Sequence, residues 1–109
     1  MDQSTISAGK TAAIISYILL FGFPIALSIN SESKNPYASF HIRQGLGLTV
    51  TFISLGLIVS HFESIAIAAP IWIFCTVLMF FGIFNAANGS VKPIPLVGQL
   101  FQKVFKNIS

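Results

Sequence analysis

QGLGLTVTFISLGLIVSHF, residues 44–62, decides the fold: between Arg43 and Glu63 there is no Asp, Glu, Lys or Arg. At about 1.5 Å rise per residue this run crosses a hydrocarbon core about 30 Å thick as a single helix. Two more uncharged, mostly apolar runs flank it, one from Lys10 to Glu32 and one from Glu63 to Lys92. The pattern predicts an all-α integral membrane protein with three transmembrane helices over 11–29, 44–62 and 66–87. A C-terminal amphipathic interfacial helix follows over 96–108, and the whole chain, 1–109, forms one membrane domain.

Composition agrees. Hydrophobic residues make up 54% of the chain and charged residues 8%, against about a quarter charged in soluble domains, and mean hydropathy is +0.83. The net charge of +3 does not point to nucleic acid, because the six basic residues are scattered among span ends and form no stripe. They read as topology signals. Lys34, Arg43, Lys92, Lys103 and Lys106 fall on one side of a three-span frame and Lys10 on the other, which predicts a cytoplasmic first loop and C-terminus with the N-terminus outside. Tyr37 and Phe40 fit an aromatic belt on the cytoplasmic side.

Within the first span, Gly22-Phe23-Pro24 predicts a kink, since proline removes a backbone donor and crowds the preceding turn. A signal peptide cleaved before Ile29 is a rival for this segment, but Asp2 stands where such a leader prefers positive charge. The second span carries Gly45, Thr49, Gly56 and Ser60 near one face, and Gly82 with Ala86 offers a second close-packing pair on the third. Pro70 falls in the early turns of that third span, and Asn85 and Asn88 share a face near its end. After Pro95, the apolar positions Leu96, Leu100, Phe101, Val104, Phe105 and Ile108 lie opposite Lys103 and Lys106, so this helix rests on a lipid surface.

Catalytic chemistry finds little footing. His41 and His61 bracket the second span about 30 Å apart in a continuous helix and cannot share a metal. Glu32 and Glu63 lie in different loops, and no G-x-S-x-G elbow or glycine-rich phosphate loop occurs. Cys75 is the only cysteine and reads as a small buried hydrophobe. No catalytic residue, cofactor or metal is expected, and no nucleic-acid partner.

Two short stretches resemble a known family. Phe40-His41-Ile42-Arg43-Gln44-Gly45 is similar to the "FH-x-RQA" start of a span, with Gly45 in place of the usual alanine. Ala86-Ala87-Asn88-Gly89 with Lys92-Pro93-Ile94-Pro95-Leu96-Val97-Gly98 is similar to an "A-x-x-G" span end and "IPLIG" exit. The family is that of small bacterial inner-membrane proteins related to the chloroplast inner-envelope protein-import component. The plastid members have four spans where three are expected here. The resemblance implies a multi-pass protein of the bacterial cytoplasmic membrane associated with protein translocation.

Taken with the spans, the motifs suggest that His41, Arg43 and Gln44 meet the chain around Asn85, Asn88 and Gly89. They form either a structural clasp on carbonyls freed at a helix end or a docking patch for another subunit. The expected function is a non-enzymatic accessory or structural subunit that contacts membrane lipid and a membrane-protein partner or further copies of itself. A homo-oligomeric channel lined by Thr49, Thr51, Ser54 and Ser60 is the alternative, and a lipid-interacting protein acting through the helix after Pro95 is a third reading.

Overall fold

The computed structural model describes residues 2–18, 21–94 and 97–107. Among these there are five α-helices and no strand: α1 (Gln3–Ile15), α2 (Gly22–Ile29), α3 (Pro36–Val59), α4 (Ile65–Ala87) and α5 (Gly98–Val104). Two of them, α3 and α4, are long and apolar enough to cross a membrane.

The expected first span is therefore corrected. Residues 11–29 form no continuous helix; α1 ends at Ile15 and α2 starts at Gly22. The reason lies in the glycine and proline read above as a kink. Pro24 occupies the first turn of α2, where its missing N–H is no loss because the first four N–H groups of a helix have no partner within it. Proline here begins a helix rather than bending one. Gly22 lets that beginning sit directly on the carbonyl of Ile15 and the side chain of Ile18, with no room for a Cβ.

The path of the chain changes accordingly. The Thr5 carbonyl accepts from Asn35 Nδ2 (2.9 Å), Gly9 abuts Asn35 and Ala38, and Ser16 lies against Gly45. Rising numbers in α1 meet rising numbers in α3, so the two helices run parallel. In α2 the order is reversed, with Ala26 packed in a cluster with Ala38 and Ile42 and Asn30 bonded to Ser39 (3.1 Å). α1 and α2 thus form a helical hairpin whose start and finish lie beside the first turns of α3.

α3 begins earlier than expected because Asn35 caps it. Asn35 Oδ1 accepts from the N–H groups of Tyr37 (2.9 Å) and Ala38 (3.1 Å), and Pro36 fits the first turn. α4 returns antiparallel, with Phe52 against Trp72 toward one end (ring centroids 4.9 Å apart) and Tyr37 against Ala86 at the other. Pro70 lies inside α4.

The last helix is shorter than the expected 96–108, since α5 covers Gly98–Val104; Leu96 and Ile108 lie outside the described residues. Phe101 does not face outward. It is buried over Gly47, where a Cβ would overlap its ring, while Leu100 and Val104 remain exposed, as do Lys103 and Lys106.

The molecule measures 48 × 22 × 21 Å. One end is crowded, with α1, α2 and α5 gathered around the first half of α3 and the end of α4. At the other end α3 and α4 pair alone. Ile53, Leu57 and Ile58 on α3 and Ile73, Phe74, Val77 and Phe80 on α4 are exposed there.

Candidate functional site

The crowded end holds a chain of buried polar side chains that begins where α1 stops. Ser16 Oγ donates to the Ala13 carbonyl (2.6 Å) and lies 2.9 Å from the carbonyl of His41. The next residue, Tyr17, is buried with its ring against Gly82. Gly45 and Gly82 are thus small because the corner after α1 is wedged between α3 and α4.

The Tyr17 hydroxyl bonds His41 Nδ1 and accepts from Gln44 Nε2 (2.6 Å). His41 Nε2 lies 2.8 Å from the Ser90 carbonyl, which can only accept, so the neutral imidazole carries its proton on Nε2 and its Nδ1 accepts from the Tyr17 hydroxyl. Gln44 Oε1 accepts from the Ile94 N–H (2.7 Å). From the Ile94 N–H through Gln44, Tyr17 and His41 to the Ser90 carbonyl the donors and acceptors run in one consistent direction, as buried polar networks require. Tyr17, Tyr37 and Phe40 all meet the His41 ring edge-on, with centroids 5.4, 4.8 and 5.1 Å away.

Gly89 makes this meeting possible. Its φ of +74° suits glycine and turns the chain just past α4, so that the Ser90 N–H returns to the Asn85 carbonyl (2.9 Å). The same turn points the Ser90 carbonyl at His41. The Ala86 carbonyl at the end of α4 is satisfied by Tyr37, whose hydroxyl lies 2.7 Å from the Ala86 oxygen and also 3.2 Å from that of Asn85.

The residues singled out from sequence are distributed as follows. His41, Gln44, Asn85 and Gly89 come together at the crowded end, with His41 and Gln44 gripping Ser90 and Ile94 just beyond α4. Asn88 is exposed, its amide turned back to the Phe84 carbonyl (2.6 Å), so it and Asn85 do not act as a pair. Asn85 Nδ2 is buried and has no hydrogen-bond partner among the described residues. Arg43 lies 3.4 Å from Gln102 Oε1, and Gln102 Nε2 donates to the Phe40 carbonyl (2.7 Å), fastening α5 to α3.

Among the packing residues, Gly45 receives Ser16, Gly82 receives Tyr17 and Ala86 is buried. Thr49 is buried and spends its hydroxyl on the Gly45 carbonyl (2.9 Å). Gly56 faces the tip of Trp72, and Ser60 is exposed at the far end. Of the interfacial set, Phe101 is buried and Phe105 packs partly against the core, whereas Leu100, Lys103, Val104 and Lys106 are exposed.

Sequence reasoning missed Ser16, Tyr17, Asn30, Asn35 and Gln102, and it assigned Tyr37 to the aromatic belt. The signal was present: polar side chains inside otherwise apolar runs need internal partners. Among the described residues no group of His, Cys, Asp and Glu gathers to hold a metal ion. No protein-family model, curated protein or solved structure matches this chain.

Proposed function

We propose that this chain is a non-enzymatic accessory or structural subunit of a bacterial cytoplasmic membrane, associated with protein translocation as the import-component resemblance implies. The observation that carries the reading is a division of labour along α3 and α4. Among the described residues, Tyr37, His41, Gln44 and Thr49 at the crowded end spend their polar groups on the chain's own atoms, and Asn85 Nδ2 is the buried side-chain donor left over. The remaining surface of α3 and α4 is apolar and open: Ile73, Val77, Phe80 and Phe84 lie on one face of α4 at helical spacing and are exposed. A contiguous apolar face of this kind belongs in lipid or against another membrane helix.

The protein should resist alkaline carbonate extraction. A photo-crosslinking residue at Val77 should capture one membrane protein of defined mass in native membranes. Adducts with lipid alone would refute the accessory-subunit reading, and release by carbonate would refute the membrane reading. The homo-oligomeric channel has less support. It needs Thr49, Thr51, Ser54 and Ser60 on one free face, and Thr49 is buried within the protomer with its hydroxyl already used.

A further inference from the structure

We infer that α1 and α2 form a re-entrant helical hairpin that enters and leaves the bilayer on one side, so that the start of α1, the end of α5 and all six basic side chains lie toward the same anionic lipid surface. This rests on the membrane reading above and goes beyond it.

The first support is direction. α1 runs parallel to α3 and α2 antiparallel, so the start of α1 and the end of α2 lie together beside Asn35. The end of α4 is there too, since Gly89 faces Ile6. Ser16 docks at Gly45, two residues beyond Arg43, so with Arg43 at the headgroup level the corner lies in the outer part of the hydrocarbon core and the hairpin turns back there.

The second support is how the turn is satisfied. Irregular backbone at membrane depth is tolerated only where protein covers it. Ser16 and Tyr17 are fully buried, and their N–H groups bond the carbonyls of Ala12 (3.0 Å) and Ile14 (3.2 Å). The N–H of Ile18 bonds the Ile15 carbonyl (3.0 Å) and that of Gly22 the Ile18 carbonyl (2.7 Å). The polar network lines the inner side of the corner, and the exposed side chains that flank it, Ile18 and Phe21, are apolar.

The third support is charge. The chain has six Lys and Arg and three Asp and Glu. Lys10, Lys34, Arg43, Lys92, Lys103 and Lys106 belong to the crowded end, with Asp2 and Glu32; Glu63 stands alone at the other. Moving Lys10 to the side of the other five removes the one exception to the basic-side bias. Lys34, Lys92, Lys103 and Lys106 are exposed, and such juxtamembrane cations are attracted to acidic headgroups.

The test uses the full chain with Cys75→Ala as background and single cysteines introduced by Gln3→Cys, His61→Cys and Lys106→Cys, probed with a membrane-impermeant maleimide in right-side-out and inverted vesicles. Gln3→Cys and Lys106→Cys should label from one face and His61→Cys from the opposite face. Labelling of Gln3→Cys from the His61 face overturns the re-entrant hairpin while leaving the membrane reading intact. Labelling of all three from both faces, with carbonate release, overturns both. In nanodiscs of mixed phosphatidylglycerol and phosphatidylcholine, the protein should enrich phosphatidylglycerol around itself. Lys34→Gln, Lys92→Gln and Lys106→Gln should each reduce that enrichment, by up to about fivefold per lysine. Equal association with both lipids, or enrichment unmoved by the triple variant, overturns the anionic-surface contact.

Discussion

One substitution at two places on α3 should move stability in opposite directions. At Gly45 an added Cβ would overlap the Ser16 carbonyl oxygen and come within 2.7 Å of its carbonyl carbon. Both atoms are backbone, and the corner that carries them is pinned by Ser16 Oγ and by the hydroxyl of Tyr17, so it cannot step aside cheaply. Overpacking of this kind costs about 1–3 kcal/mol, against at most about 1 kcal/mol gained by replacing glycine in a helix interior. Gly45→Ala should therefore lose about 1–2 kcal/mol net, which in a chain of this size lowers Tm by about 4–15 °C. At Gly56 a Cβ meets only the tip of the Trp72 ring, at 3.3 Å, in the sparsely packed half of the molecule. A small tilt of the indole relieves it, and Gly56→Ala should be neutral or stabilising by up to about 1 kcal/mol. Cys75, buried and the only thiol, supplies the assay: a thiol-reactive fluorogenic dye reports its exposure as the protein is heated in detergent. A Gly45→Ala variant melting at or above the parent, or a Gly56→Ala variant falling as far as Gly45→Ala, would refute the argument that the corner after α1 is seated on α3.

Phe101→Ala should empty the seat over Gly47, costing about 3–5 kcal/mol where packing cannot relax; α5 then detaches, and trypsin should cut at Lys103 and Lys106 faster than in the parent. Tyr37→Phe strips the Ala86 and Asn85 carbonyls of their side-chain donor and should cost about 1–3 kcal/mol, read by the same Cys75 melt. Asp2 caps α1, and hydrogen bonds from the Thr5 side chain, the Thr5 N–H and the Ser4 hydroxyl hold its carboxyl below the ordinary value of 3.8. Because the folded value is the lower one, the capping contribution is fully present above about pH 4 and is lost as pH falls through the depressed value. Thr5 amide exchange, referred to the intrinsic rate at each pH, should lose protection only under acid conditions, and Asp2→Ala should abolish that dependence.

The helical class and the two spans α3 and α4 were legible because each rests on a local signal, an unbroken apolar run. Asn35-Pro36 was also legible as a start signal, yet counting uncharged residues from Arg43 placed the helix at Gln44. The hairpin of α1 and α2 was not legible by that count. Residues 11–29 are apolar enough to span, and what stops them is non-local: Ser16, Tyr17 and Asn30 find partners on α3 that sequence order does not reveal. Of the site, His41, Arg43 and Gln44 were expected to meet the chain around Asn85, Asn88 and Gly89, and His41 and Gln44 instead bond Ser90 and Ile94. Their partners were misjudged, because Gly89 carries the chain past the helix end and delivers Ser90 and Ile94 instead of the terminal carbonyls.

The placement of polar residues also explains why one half of α3 is dense with partners and the other bare. A buried hydrogen bond contributes only about 1 kcal/mol net, so the network at the crowded end is a weak source of stability for its size. Its effect is on specificity. Gln44 can satisfy both Tyr17 and the Ile94 N–H only in one register of α3 against the corner and the segment after α4, and sliding α3 by one residue would leave several buried groups unpaired, each costing about 1–3 kcal/mol. At the other end Phe52, Trp72 and the exposed aliphatic residues tolerate small shifts, because dispersion contacts are many and individually small. The crowded end therefore fixes the arrangement of the helices, and the paired ends of α3 and α4 are free to adapt to whatever surrounds them. The clasp reading predicts that His41→Phe disorders the segment after α4, seen as faster amide exchange at Ile94, before it changes any contact made by the outer face of α4. If the variant instead left Ile94 protected and weakened capture at Val77, the motif would be a docking patch and the clasp would be wrong.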